Sequence, residues 1–165
     1  MIDEAFQAIN DVVKKFSDYS NSYFQRGYIK YIKLEYDNAI DDFVKSLNLL
    51  PNEPVAYVFI ALCYEVKKDY DKALSNYETS LATNSKNAFT YFYKGKLLGT
   101  LGKYQDAIYN YYQALIISPE YSEAYYFRGL TKIIETEMSG CADLKAAYNL
   151  VYKEAYKLIL DYCEK

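Results

Sequence analysis

The chain has 165 residues, 52% of them hydrophobic and 25% charged, with a formal net charge of -3. That length and balance suit one folded domain with its own core, and they exclude a disordered or fibrous chain. No basic excess is present to neutralise phosphates, and with no histidine the commonest acid–base group and metal ligand is missing.

The chain starts Met1-Ile2-Asp3-Glu4, without the basic and then apolar segments of a signal peptide. Its longest apolar run, Val55 to Tyr64, is too short to span a bilayer. The expectation is a cytoplasmic chain with no membrane partner. Ala5, Ile9 and Val12 recur at helical spacing and predict a helix over 2–16. It reads as an N-terminal cap, the alternative being a chain that starts inside a longer array.

From Ser20 onward the sequence repeats with a period of 34. Tyr23, Tyr57, Tyr91 and Tyr125 align, and four residues later so do Gly27, Ala61, Gly95 and Gly129. Tyr36, Tyr70 and Tyr104 form the next column, then Ala39, Ala73 and Ala107, then Phe43, Tyr77 and Tyr111. Ser46, Ser80 and Ala114 follow, then Leu47, Leu81 and Leu115, and Pro51, Ser85 and Pro119 close the unit. A fixed period of this length signals stacked supersecondary units. The predicted units are 20–53, 54–87, 88–121 and 122–150.

Each unit reads as two helices. In the second, Tyr57, Ile60, Ala61 and Tyr64 make one stripe, and Ala73, Leu74, Tyr77 and Leu81 make the other. The polar turn Lys67-Lys68-Asp69 separates them. Pro51 and Pro119 stop helices, and Pro54 suits a first helical turn. The small residues of the first helix, facing those early on the second, let two backbones approach while the aromatics fill the wider gaps. The fourth unit slips. If it is one residue shorter, Gly140 takes the small slot, Leu144 the aromatic slot and Ala147 the later small slot, with the turn at Glu135-Thr136-Glu137-Met138. A last helix is expected within 152–164, with Ala155, Leu158, Ile159 and Tyr162 on its apolar face and Lys153, Glu154, Lys157 and Asp161 on its wet one.

The chain shows no phosphate loop, nucleophile elbow or metal-spaced ligand cluster. The reading is therefore non-enzymatic, with no catalytic residue, no cofactor and no metal. Carboxylate neighbours such as Asp41-Asp42 point in different directions on a helix and read as solvated surface charges. Cys63, Cys141 and Cys163 form no C-x-x-C pair and read as buried, reduced thiols.

The order Tyr, Gly or Ala, Tyr-x-x-Ala, aromatic, small residue, Pro resembles the tetratricopeptide repeat (TPR) family, over Ser20 to about Ala147. Arg26, Lys94 and Arg128 depart from it, standing where that family usually has Leu, and Ser85 replaces Pro. The stretch Gly140 to Ala147 looks like the closing unit of many bacterial members. The resemblance implies an all-α fold, a right-handed α-solenoid forming a single domain over 1–165. It also implies a protein-binding concave groove lined by first-helix positions. Those positions are Phe24, Tyr28 and Tyr31; Val58, Phe59 and Leu62; Phe89, Phe92, Tyr93 and Lys96; and Tyr126 and Phe127.

So aromatic a surface predicts an adaptor for an apolar or aromatic peptide or helix from a partner protein. Alternatively the aromatics pack on one another, or the last helix covers them. Phe24, Tyr28, Phe59, Phe89 and Tyr93 match the carboxylate-clamp positions of one subfamily, so no capture of chaperone C-termini is expected. Self-association as a scaffold, giving a homo-oligomer, is the alternative function. Nucleic acid is not expected, because Lys96 stands against Glu65 and Glu123; stacking of single-stranded RNA is the weakest alternative.

Overall fold

The 34-residue period sets where the helices start. The computed structural model describes residues 2–135 and 139–164, and among them are ten helices and no strand. They are α1 (Ile2–Lys15), α2 (Ser20–Ile32), α3 (Tyr36–Leu49), α4 (Pro54–Val66), α5 (Tyr70–Thr83), α6 (Ala88–Thr100), α7 (Tyr104–Ile117), α8 (Ser122–Ile134), α9 (Gly140–Asn149) and α10 (Ala155–Tyr162). Part of the fourth expected turn, Thr136-Glu137-Met138, lies outside the described residues.

Three of the turns are copies of one another. Leu34, Lys68 and Gly102, spaced by the repeat period, take φ of 64°, 59° and 74°. After each, an N–H reaches back to close the preceding helix: Glu35 to Lys30 O, Asp69 to Tyr64 O and Lys103 to Leu98 O, at 2.9–3.0 Å. The left-handed residue itself donates to Tyr31 O, Glu65 O or Gly99 O. These paired bonds satisfy carbonyls that a helix end otherwise leaves orphaned. Only Gly102 adopts this conformation without a Cβ penalty.

The chain divides into two units, Met1–Ser85 and Lys86–Lys165, each holding two hairpins and one flanking helix. In the first unit α2 packs on α3 and α4 on α5, around a core of Ala39, Phe43, Leu47, Ala56, Ile60 and Cys63. Gly27 allows this approach: a Cβ there would meet the Phe43 ring at 3.0 Å and Ala39 O at 3.2 Å. α1 packs on α2 through Val13, Phe6 and Ile9 rather than through the expected Ala5 and Val12, which are exposed. The Phe6 ring lies under Lys33, whose ammonium also pairs with Asp3 at 2.8 Å, and these contacts set the rotation of α1. An ion pair in the same columns one period later joins Asp37 to Lys67.

In the second unit α6 packs on α7 and α8 on α9, with Tyr111 and Leu144 buried in the places Phe43 fills in the first. A Cβ at Gly129 would come within 2.8 Å of Gly140 O and 3.1 Å of Leu144. Gly140 thus occupies the small slot, one residue early. α10 folds back on α9, burying Ala155 and Ile159 against Leu144 and Ala147. Lys153 and Glu154 precede the helix, and Tyr162 points outward at 50% exposure, so the packed face of α10 is narrower than the sequence pattern implies. No helix among the described residues is long and apolar enough to cross a membrane.

Candidate functional site: the aromatic first-helix faces

In the first unit, α2 and α4 bring the expected aromatics together around Phe59. Its ring lies 5.3 Å from Tyr28, 5.5 Å from Phe43, 5.7 Å from Tyr31 and 5.8 Å from Phe24. Edge-to-face pairs of this kind add about 0.5–1.5 kcal/mol each beyond area burial. Phe24, Tyr31 and Phe59 are half-buried and Tyr28 is 40% exposed, so the cluster keeps one accessible side. Leu62 is also half-buried, whereas Val58 is fully buried and offers no surface. A cavity of 280 Å³ opens beside Phe24, between Asn21, Leu50, Glu53 and Val55.

In the second unit, Phe92 is only 4% exposed. It braces Tyr93 at 5.1 Å, Tyr121 at 4.8 Å and Phe127 at 5.7 Å, and so belongs to the core under the face. Phe89 stands 4.5 Å from Tyr93, and Tyr126 stands 5.3 Å from Phe127, all four half-buried. The Lys96 ammonium sits over three rings, 5.1 Å from Phe127, 5.5 Å from Tyr93 and 5.7 Å from Phe92. A cation on ring faces gains about 0.5–2 kcal/mol without a carboxylate. Beside Lys96, a cleft of 140 Å³ runs between α6 and α8 over Tyr111. Burial pushes the Tyr111 and Tyr121 phenols well up.

The accessible faces are thus mostly ring surface, with Glu53 beside the first and Lys96 lying across the second. Part of the ring area is spent on self-packing, and the closing helix covers more: Tyr126 lies 4.8 Å from Tyr152 and packs against the α9–α10 cluster.

Two features escape the sequence reading. Asp42 is not a solvated charge: it is 1% exposed, held by Nε and Nη2 of Arg26 at 2.6–2.7 Å and by Lys30 at 2.7 Å. Burial alone would raise its pKa, but the hydrogen bonds from Arg26 and Lys30 outweigh it and hold the carboxyl below the usual aspartate range. Asp143 repeats this arrangement with Arg128 and Lys132 at 2.6–3.0 Å. The recurrence of Arg, Lys and Asp at matching columns was the available signal. Two of the three cysteines also differ from expectation. Cys141, at the start of α9, and Cys163, just after α10, form a disulfide with Cα atoms 5.6 Å apart. Closing a loop of this size contributes about 3 kcal/mol in the chain-entropy model. Cys63 alone is free and buried, its thiol pushed up to about 12 chiefly by desolvation. Among the described residues no group of His, Cys, Asp and Glu could hold a metal ion.

No family model matches the chain, and no curated protein matches it in sequence. Solved structures do match in fold. MamA superposes with a TM-score of 0.78 at 20% identity, covering 94% of this chain and 91% of its own. YrrB, described as a TPR protein with an unusual peptide-binding site, gives 0.70 at 19% identity, covering 95% and 82%. The APC/C hetero-tetramer Cut9–Hcn1 gives 0.81 at 18% identity over 93% of this chain, which spans 29% of that one. The fold is the all-α helical-hairpin solenoid of tetratricopeptide-repeat proteins.

Proposed function

We propose that the chain is a non-enzymatic adaptor that binds an apolar or aromatic peptide or helix of a partner protein on its first-helix faces. The observation that carries this reading is the second unit's face, where Phe89, Tyr93, Tyr126 and Phe127 keep partial exposure beside a cleft. Rigid rings of this kind supply contact area at low entropic cost. YrrB, similar in fold, is described as having a peptide-binding site, which supports peptide as the ligand class. Phe92 and Val58 act beneath the surface in this reading, and no chaperone-tail clamp is part of it.

The test is selection of binding peptides from a displayed library, followed by solution affinities for the wild type and for Phe89→Ala with Tyr93→Ala. Enrichment of aromatic or aliphatic sequences, and loss of about tenfold or more in affinity in the double variant, is expected for anchors of this kind. Unchanged affinity removes the second unit's face from the site.

Self-association is a second reading with its own observation. On α7, Tyr109, Tyr112 and Ile116 form a stripe 52–60% exposed. Sedimentation across a concentration range distinguishes the two: a monomer throughout rules self-association out.

A further inference from the structure

Only Ala155 and Ile159 of α10 are fully buried, and an eight-residue helix is marginal by itself. Its entry is strained as well. Val151 connects α9 to α10 at φ 69°, a conformation that a β-branched residue rarely adopts, and its side chain is 75% exposed. The Cys141–Cys163 bond ties the far end of this segment to the first turn of α9. Under the tied segment lies Tyr126, covered by Tyr152 and the α9–α10 cluster.

We infer that the Cys141–Cys163 disulfide is a latch that holds α10 and Tyr152 over the α8 end of the aromatic face, and that its reduction opens that end. The latch stands on the geometry of α8–α10 alone; what the uncovered Tyr126 then binds rests on the adaptor reading above. The chemistry is thiol–disulfide exchange with a dithiol reductant. A reductant thiolate attacks one sulfur of the bond, and the other cysteine leaves as a thiolate and is protonated. The second reductant thiol then displaces the remaining protein sulfur. The reductant ends as a disulfide and the protein gains two thiols. The Val151 backbone is then free to leave the left-handed region. Bonds of this kind persist in oxidising compartments and are reduced in the cytosol, so the latched form is expected in the former and the open form in the latter.

The experiment is peptide-resolved hydrogen exchange on the oxidised protein and on the protein reduced with dithiothreitol. Cys141→Ser with Cys163→Ser serves as a permanently unlatched variant. Reduction is expected to lower protection of residues 152–162 by about 100-fold, with α2–α5 unchanged. Binding of an apolar fluorescent dye should rise in step. The double variant should match the reduced protein, and Val151→Gly, which removes the backbone strain, should recover part of the protection in reducing buffer. Equal exchange in both redox states would overturn the latch. So would loss of protection spread equally over α2–α5, or failure of these two cysteines to pair under oxidising conditions. None of these readouts needs a partner, so they fail separately from the adaptor reading.

Discussion

The hairpins α2–α3 and α8–α9 solve the same problem with different tolerances. Both bury a carboxylate, Asp42 or Asp143, between an Arg and a Lys one turn apart on the first helix. Both put a glycine opposite the second helix. In α2–α3 the nearest neighbour of that glycine is a ring, Phe43, at 3.0 Å, with Ala39 O at 3.2 Å, whereas in α8–α9 it is backbone, Gly140 O, at 2.8 Å. Dropping one residue moved Asp143 together with Leu144, so the polar lock kept its register while the steric slot tightened. The difference teaches that a repeat can lose a residue at its turn if the charged and small columns shift together.

The largest expected effect sharpens this contrast. Gly129→Ala must push the Gly140 carbonyl aside and should cost about 3 kcal/mol, whereas Gly27→Ala needs a small movement of the Phe43 ring and a slighter one of the Ala39 carbonyl and should cost about 1–2 kcal/mol. Thermal and denaturant unfolding check the order; equal costs would break the comparison. Asp42→Asn and Asp143→Asn come next, each expected to cost about 2 kcal/mol, because Arg and Lys lose their shared counter-charge but still reach water. The Asp42 lock also has a pH signature. Its folded pKa is depressed, so its contribution is present above the ordinary aspartate pKa of about 4 and is lost as pH falls through the folded value. The melting-temperature gap between wild type and Asp42→Asn should therefore shrink only below about pH 4. The smallest effects lie at the copied turns. Lys68→Gly and Leu34→Gly should each stabilise by about 0.5–1 kcal/mol, and Gly102→Ala should destabilise by a similar amount.

Much of the fold was legible because the period carries helix starts and contact columns together. Pro54, Gly27 and Ala39 announce where a helix begins and where two approach. The left-handed turns were not legible at Leu34 and Lys68, since neither residue type marks that conformation; only Gly102 does. Asp42 looked solvated because its neighbour Asp41 is, and a single sequence position says nothing about the Arg on another helix. Cys141 and Cys163 meet only because α10 folds back over α9, which no spacing rule encodes. Of the site, the aromatic columns were legible but their depth was not: Val58 and Phe92 share the first-helix pattern with Tyr28 and Tyr93, and adjacent helices bury them.

The most direct test of the account follows amide and aromatic NMR shifts while a selected aromatic peptide is titrated into the oxidised protein. The account predicts perturbations at Phe89, Tyr93 and Phe127 on the first helices of the second unit, with α7 and α9 little changed. Perturbations centred instead on Tyr109, Tyr112 and Ile116 of α7 would contradict it.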